Sequence, residues 1–127
     1  MIGSVISNGA TRNQEALVGN YYESDDLERF GEMGKHRKEL SDKFFDYYGS
    51  VMAKGALSKR EKNLIALALA HAMPCPYCID SYAQSCLESG CSMDEMTEAI
   101  HISAAMKAGA TLIHGIQTHN SVDKVSM

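Results

Sequence analysis

Apolar residues return along this chain at three- and four-residue intervals, and nowhere in strict alternation. The first clear run is KHRKELSDKFFDYYGSVM, where Leu40, Phe44, Tyr47, Tyr48 and Val51 define an amphipathic helix. Gly49 weakens that helix near its end, and Gly55 fits a stop. The next run, LSKREKNLIALALAHAM, opens with Ser58 and Glu61 at capping-box spacing. From Leu64 to Ala70 it is apolar nearly all round, which predicts burial on more than one side and, in a small chain, a subunit interface. Pro74 stops this helix at Met73, and Pro76 suits the first position of another, beginning near Cys75 and ending at Gly90. Ser92 and Glu95 repeat the capping box ahead of MDEMTEAIHISAAMKA. Gly109 is expected to break or kink that helix, and TLIHGIQTHN to form a last one that fades into a polar tail. Glycine is costly inside a helix, so close helix–helix approach is the expected use of Gly109 and Gly115. Upstream, Ser24 is placed to cap a short helix with Asp25 and Asp26 in its first turn and Gly31 or Gly34 at its end. Residues 1–20 are polar and without period, and read as a tail or arm. The pattern predicts an all-α fold: a small helical bundle forming a single domain over residues 21–121.

Composition narrows the class of function. A chain of 127 residues that is 45% hydrophobic is long enough for one domain with a core. The longest apolar run, Leu64 to Met73, is far shorter than the ~20 residues a bilayer requires. The N-terminus lacks a basic leader followed by an apolar core, so a cytoplasmic protein is expected. A net charge of −4 without a basic, aromatic-interleaved stripe argues against a nucleic-acid partner. The one basic cluster, Lys35 to Lys38, is followed by Glu39 and Asp42 and reads as a solvated helix face.

The chemistry is concentrated in AHAMPCPYCIDSY, where Cys75 and Cys78 form a Cys-x-x-C pair. In a reducing compartment such a pair is more often catalytic or metal-binding than structural. The prolines place Cys75 at a helix start and Cys78 in the first turn. Unpaired N–H groups and the positive end of the helix dipole favour a thiolate there. The two-residue gap lets one sulfur attack while the other resolves the product as a disulfide. A metal site is the rival: His71, Cys75, Cys78, Cys86 and Cys91 lie close in sequence. With the segment from Cys78 to Cys86 helical, those two sulfurs stand ~12 Å apart along the axis, too far for one tetrahedral site. Cys86 then reads as a small buried residue and Cys91 as a surface or interface thiol. No metal and no cofactor is predicted.

Taken together, SKREKNLIALALA, CPYC and EAIHISAAMKAGATLIHG resemble the alkyl hydroperoxidase D-like, carboxymuconolactone decarboxylase-like family of all-α proteins. The resemblance covers about residues 57–117. The wider run RFGEMGK, FFDYYG, GALSKREK, CPYCIDSY is similar to a short peroxidase-like subgroup associated with arsenosugar biosynthesis. The resemblance implies a homotrimer or homohexamer that reduces a hydroperoxide or disulfide substrate at the expense of an external dithiol reductant. It further implies that Cys78 attacks peroxide and Cys75 resolves. Family members carry a glutamate twelve residues before the first cysteine and a histidine four after the second, as a proton relay. Here those positions hold Asn63, which does not titrate, and Tyr82, a poor base at neutral pH that can still donate a hydrogen bond.

Other groups are candidates for the displaced relay. His71, four residues before Cys75, is a common kind of satisfied core histidine and also the best replacement base. Glu61 has a sufficient reason to exist in its capping box, and reaches the sulfurs only if the second helix folds back suitably along the first. His101 and His114 become relevant only if the last helices pack over the sulfur turn. Asp80 is expected to face solvent. Two other functions compete: a non-redox enzyme of the lactone decarboxylase kind with bystander cysteines, and a binding protein for zinc or trivalent arsenic.

Overall fold

The computed structural model describes residues 21–127, and the expected N-terminal tail over residues 1–20 lies outside them. Among the described residues every regular element is helical. A 3₁₀ helix, Asp26–Gly34, precedes four α-helices: α1 (Lys38–Met52), α2 (Lys59–Ala72), α3 (Pro76–Glu88) and α4 (Met93–Ser126). The all-α expectation holds.

Helix α2 is the organising element. It packs against α3 on one side and α4 on another, whereas α3 and α4 make little contact beyond the turn that joins them. Its N-terminus is set by a complete capping box. The Ser58 hydroxyl accepts from the Glu61 N–H at 3.0 Å, and the Glu61 carboxylate accepts from the Ser58 N–H at 2.8 Å. Lys62 reaches back to the end of α1 and donates to the Val51 and Ala53 carbonyls, each at 2.6 Å. Those carbonyls belong to the C-terminal turn, where a helix lacks its own donors and favours a cation.

The core is small. Leu67, Cys86, Cys91 and Met96 form its centre, with Leu64, Tyr82 and Ala83 packed against them. Ala70 and Ala99 are buried where α2 meets its neighbours. Asn63 is buried beside this cluster, and its amide donates to the Ser85 carbonyl and to the Ser89 hydroxyl, each at 3.2 Å. Those bonds fix α2 and α3 as an antiparallel hairpin: the start of α2 lies beside the end of α3. Arg60 at the start of α2 also pairs with Glu95 at the start of α4. Glu95 is therefore shared between its capping box with Ser92 and the guanidinium.

Three expectations are corrected. Gly109 does not break the final segment, because α4 runs unbroken from Met93 to Ser126, through both glycines and the expected tail. A single glycine costs a helix only about 1 kcal/mol, which good formers on either side outweigh. Within the single chain nothing lies within 4 Å of where a Cβ at Gly109 or Gly115 would stand, so the close approach expected of them would fall to a subunit interface. Ser24 does not cap the first helix. Asp25 takes that position without a side-chain cap bond, while the Asp26 carboxylate accepts from the Glu23 N–H at 2.9 Å. Cys91 is buried rather than a surface thiol, for a reason given by the turn after α3. The apolar stripe of α1 is also largely uncovered, with Leu40, Tyr47 and Val51 all exposed. Phe30 of the 3₁₀ helix meets Phe44 and Phe45, with ring centroids at 5.9 and 4.9 Å, and this attaches the two elements.

Two outcomes follow. Gly90 has φ 85°, a left-handed conformation, so Gly90→Ala is expected to lower stability by about 1–2 kcal/mol in denaturant unfolding. The Glu95 carboxyl is held at about 2 by Arg60 first and the Ser92 N–H second, against an ordinary 4.5. A depressed pKa gives stability that is fully present above 4.5 and fades as the pH falls toward 2. Glu95→Gln keeps a residue able to complete the capping box, and is expected to flatten the fall in stability across that window.

Candidate redox site

Helix α2 ends one turn before the sulfurs. The Met73 N–H donates to the Leu69 carbonyl at 2.9 Å, Pro74 has no N–H to offer, and the Cys75 N–H returns to the Ala70 carbonyl at 2.9 Å. That last bond pins Cys75 against the end of α2. Cys75 is then the N-cap of α3, with extended backbone, and Pro76 takes the first helical position. Its carbonyl accepts the first bond of the new helix, from the Ile79 N–H at 2.9 Å.

The two sulfurs are joined as a disulfide, with the Cα atoms 5.3 Å apart. Cys75 Sγ also accepts from the Cys78 N–H at 3.2 Å, as a capping oxygen would. A thiolate at Cys75 after reduction would meet the same donor and the positive end of α3. Both residues are half-buried, so the pair is reachable without being fully wet.

His71 is half-buried one turn before the bend, with Nδ1 2.9 Å from the Leu67 carbonyl. A carbonyl only accepts, so Nδ1 carries the hydrogen and Nε2 is left as the basic nitrogen. Tyr82 lies one helical turn beyond Cys78, against the central cluster. Asn63 and Glu61 are not brought to the sulfurs. The antiparallel hairpin carries Asn63 to Ser85 and Ser89, at the far end of α3. Glu61 stays exposed in its capping box, its pKa lowered by the Ser58 N–H and then the Ser58 hydroxyl. His101 and His114 are exposed on α4, which packs on α2 and not over the sulfur turn. His114 Nδ1 is occupied by the Ala110 carbonyl at 2.7 Å. Asp80 faces solvent, as expected. Among the described residues no three His, Cys, Asp or Glu side chains converge as a metal site.

Two contacts at the site have no precedent in the sequence reading. Tyr77, the residue just before Cys78, donates its hydroxyl to Asp26 Oδ2 at 2.9 Å. Its ring meets Tyr22 edge-on at 5.2 Å, and Tyr22 meets Tyr21 at 5.0 Å. The segment before α1 is thereby fastened to the middle of the Cys-x-x-C. Lys107 of α4 donates to the Ala72 carbonyl at 3.0 Å, placing a cation at the C-terminus of α2, just before the turn. The only sequence signals were an aromatic inside the motif and a lysine among the apolar residues of α4. Their partners lie 51 and 35 residues away.

An antiparallel helical hairpin with a bonded sulfur pair at its bend, backed by a third helix, defines a class of small all-α thiol proteins. The sequence profile of the carboxymuconolactone decarboxylase family matches residues 38–117, and the chain belongs to that family. The match extends the resemblance upstream to include α1. The chain is similar to "Uncharacterized protein 4 in cox locus" of Paracoccus denitrificans, 35% identical over 95 residues that cover 75% of this chain and 86% of that one. It also resembles a crystal structure of a Methanobacterium thermoautotrophicum protein, determined by a structural genomics consortium. That likeness has a TM-score of 0.66 and 27% identity, covering 69% of this chain and 96% of the other.

Tyr77→Phe tests the fastening. The Asp26 carboxyl is lowered first by the Glu23 N–H and second by Tyr77. Its pKa, followed by carboxyl NMR, is expected to rise on substitution yet stay below the ordinary aspartate value, because the larger cause remains.

Proposed function

We propose that the protein is a thiol-dependent oxidoreductase that reduces a hydroperoxide or a disulfide through Cys75 and Cys78. The observation that carries this reading is the bonded pair at the start of α3, with Cys75 Sγ accepting the Cys78 N–H. Family membership is consistent with it.

In the reduced protein, the Cys78 thiolate attacks the terminal oxygen of the hydroperoxide. The O–O bond breaks, Cys78 becomes a sulfenic acid, and the alkoxide leaves as an alcohol after taking a proton. The Cys75 thiolate then attacks Cys78 Sγ, the S–S bond forms, and hydroxide leaves as water with a second proton. An external dithiol restores both thiols by exchange and is itself oxidised to a disulfide. Assigning Cys75 as resolving thiol suits its capped position, which favours its thiolate. His71 Nε2 and the Tyr82 hydroxyl are the groups proposed to handle protons, in place of the family's glutamate and histidine.

Assembly into a homo-oligomer belongs to the same reading. A groove of about 640 Å³ runs between α2 and α4, lined by Ile65, Leu69, Ile102 and Met106 among others. Those four side chains are 48–70% exposed in the single chain. At about 100° per residue, Ile102, Met106, Ile113 and Ile116 fall on one side of α4, so the apolar stripe continues past the groove. A second copy of the chain is the proposed cover, since soluble single chains rarely leave a stripe of this kind bare.

Free-thiol titration before and after one equivalent of hydroperoxide tests the chemistry. Reduced protein is expected to lose two thiols per chain and to regain them with dithiol; unchanged thiols would refute the peroxidase reading. With Cys75→Ser, a stable sulfenic acid on Cys78 is expected by dimedone labelling, whereas Cys78→Ser should leave Cys75 unlabelled. His71→Gln is expected to slow the peroxide step about 10²-fold or more, the low end of what a positioned acid or base contributes.

A further inference from the structure

Cys86 and Cys91 take no part in the chemistry above. Both are free thiols, 0% and 5% exposed, at the centre of the core. The backbone brings them together. Helix α3 ends in a Schellman motif: the Gly90 N–H donates to the Leu87 carbonyl at 3.1 Å and the Cys91 N–H to the Cys86 carbonyl at 2.9 Å. Gly90 supplies the left-handed residue that this turn requires. The motif sets the third residue from the helix end against the second residue beyond the cap Ser89, which here are Cys86 and Cys91. With a 2.9 Å N···O contact and standard bond lengths, their Cα atoms stand no more than roughly 6.8 Å apart. Disulfides span Cα separations of roughly 4.4–6.8 Å.

The two side chains are neighbours in the same buried cluster. Ser89 Oγ lies 3.9 Å from Cys91 Sγ, and that hydroxyl also accepts from Asn63 of α2. Burial pushes the Cys86 thiol up to about 11, with Cys91 a second cause, while Arg60 of α2 draws it down. Met96 of α4 and Leu67 of α2 close the remaining sides with hydrocarbon. Two aliphatic residues would satisfy the turn equally well as packing. Two thiols in contact add a bond that can be made and unmade.

We propose that Cys86 and Cys91 are a second redox dithiol, which closes a disulfide across the α3–α4 turn when the turn opens to a small disulfide oxidant. One thiol gives its proton to solvent, and its sulfur attacks the oxidant, forming a mixed disulfide and releasing one small thiol. The other protein thiolate attacks the mixed disulfide, forming the Cys86–Cys91 bond and releasing the second small thiol. Two protein thiols are oxidised and one small disulfide is reduced. While the turn is closed both steps are slow, because both sulfurs are buried and Cys86 is held as a thiol. One helix is thus flanked by a faster, half-buried pair at its start and a slower, buried pair at its end.

The full-length chain, equilibrated in glutathione buffers of stepped oxidised-to-reduced ratio, with and without denaturant, tests this. After alkylation, cleavage beyond Tyr82 separates the two pairs, and cleavage at Glu88 leaves the Cys86 and Cys91 peptides joined only if bonded. The Cys75–Cys78 bond is expected to form first and the Cys86–Cys91 bond later. At equilibrium the folded chain should favour the second bond at least tenfold over the unfolded chain, and Gly90→Ala should shrink that ratio. A folded-state constant equal to or below the unfolded one would overturn the proposal. So would single glutathione adducts without bridging, or no bond in buffers where the unfolded chain forms it.

Discussion

A helix begins with N–H groups that none of its own carbonyls can reach. In α3 one of them is met by a sulfur, and the rest of the site follows from that arrangement. Pro74 ends α2 without contributing a donor, the Cys75 N–H returns to Ala70, and Pro76 begins the new helix with the φ it already has. Cys75 is left at the cap, with its side chain turned toward the Cys78 N–H. The same constraint that lets the chain reverse direction therefore sets which sulfur meets a backbone donor. Fold and chemistry share one structural solution at this bend.

Much of this was legible because it is local. Capping boxes, proline stops and the Gly90 turn depend on residues within a few positions of one another, and Ser58, Ser92 and Pro76 behave as their spacing indicates. Gly109 misled because a helix of 34 residues has enough favourable neighbours to absorb one poor one. Cys91 misled for a different reason. Its burial follows from the backbone bond to Cys86, which exists only once Gly90 adopts positive φ.

At the candidate site the division is sharper. Cys75 and Cys78 were visible as a pair, but the fate of Asn63 was not. The resemblance implied a relay glutamate at its position, yet the sense of the α2–α3 hairpin sends the Asn63 amide to Ser85 and Ser89. Spacing along the chain says which residues share a helical turn, not which partner a side chain meets across two packed helices. The Tyr77–Asp26 contact was illegible on the same ground: a hydroxyl and a carboxylate 51 residues apart meet only because the 3₁₀ helix lies against the sulfur turn.

That contact bears on how still the sulfurs are held. First turns of helices ordinarily fray, since their opening residues have few bonds to lose. Here the first turn of α3 is anchored three times: by the Cys75 cap, by the bond between the sulfurs, and by the phenol of Tyr77. Reduction removes the second anchor and leaves the other two. The freed thiols would then separate on a helix end that remains wound, so their return to bonding distance is a short rotation of side chains rather than a search by the backbone.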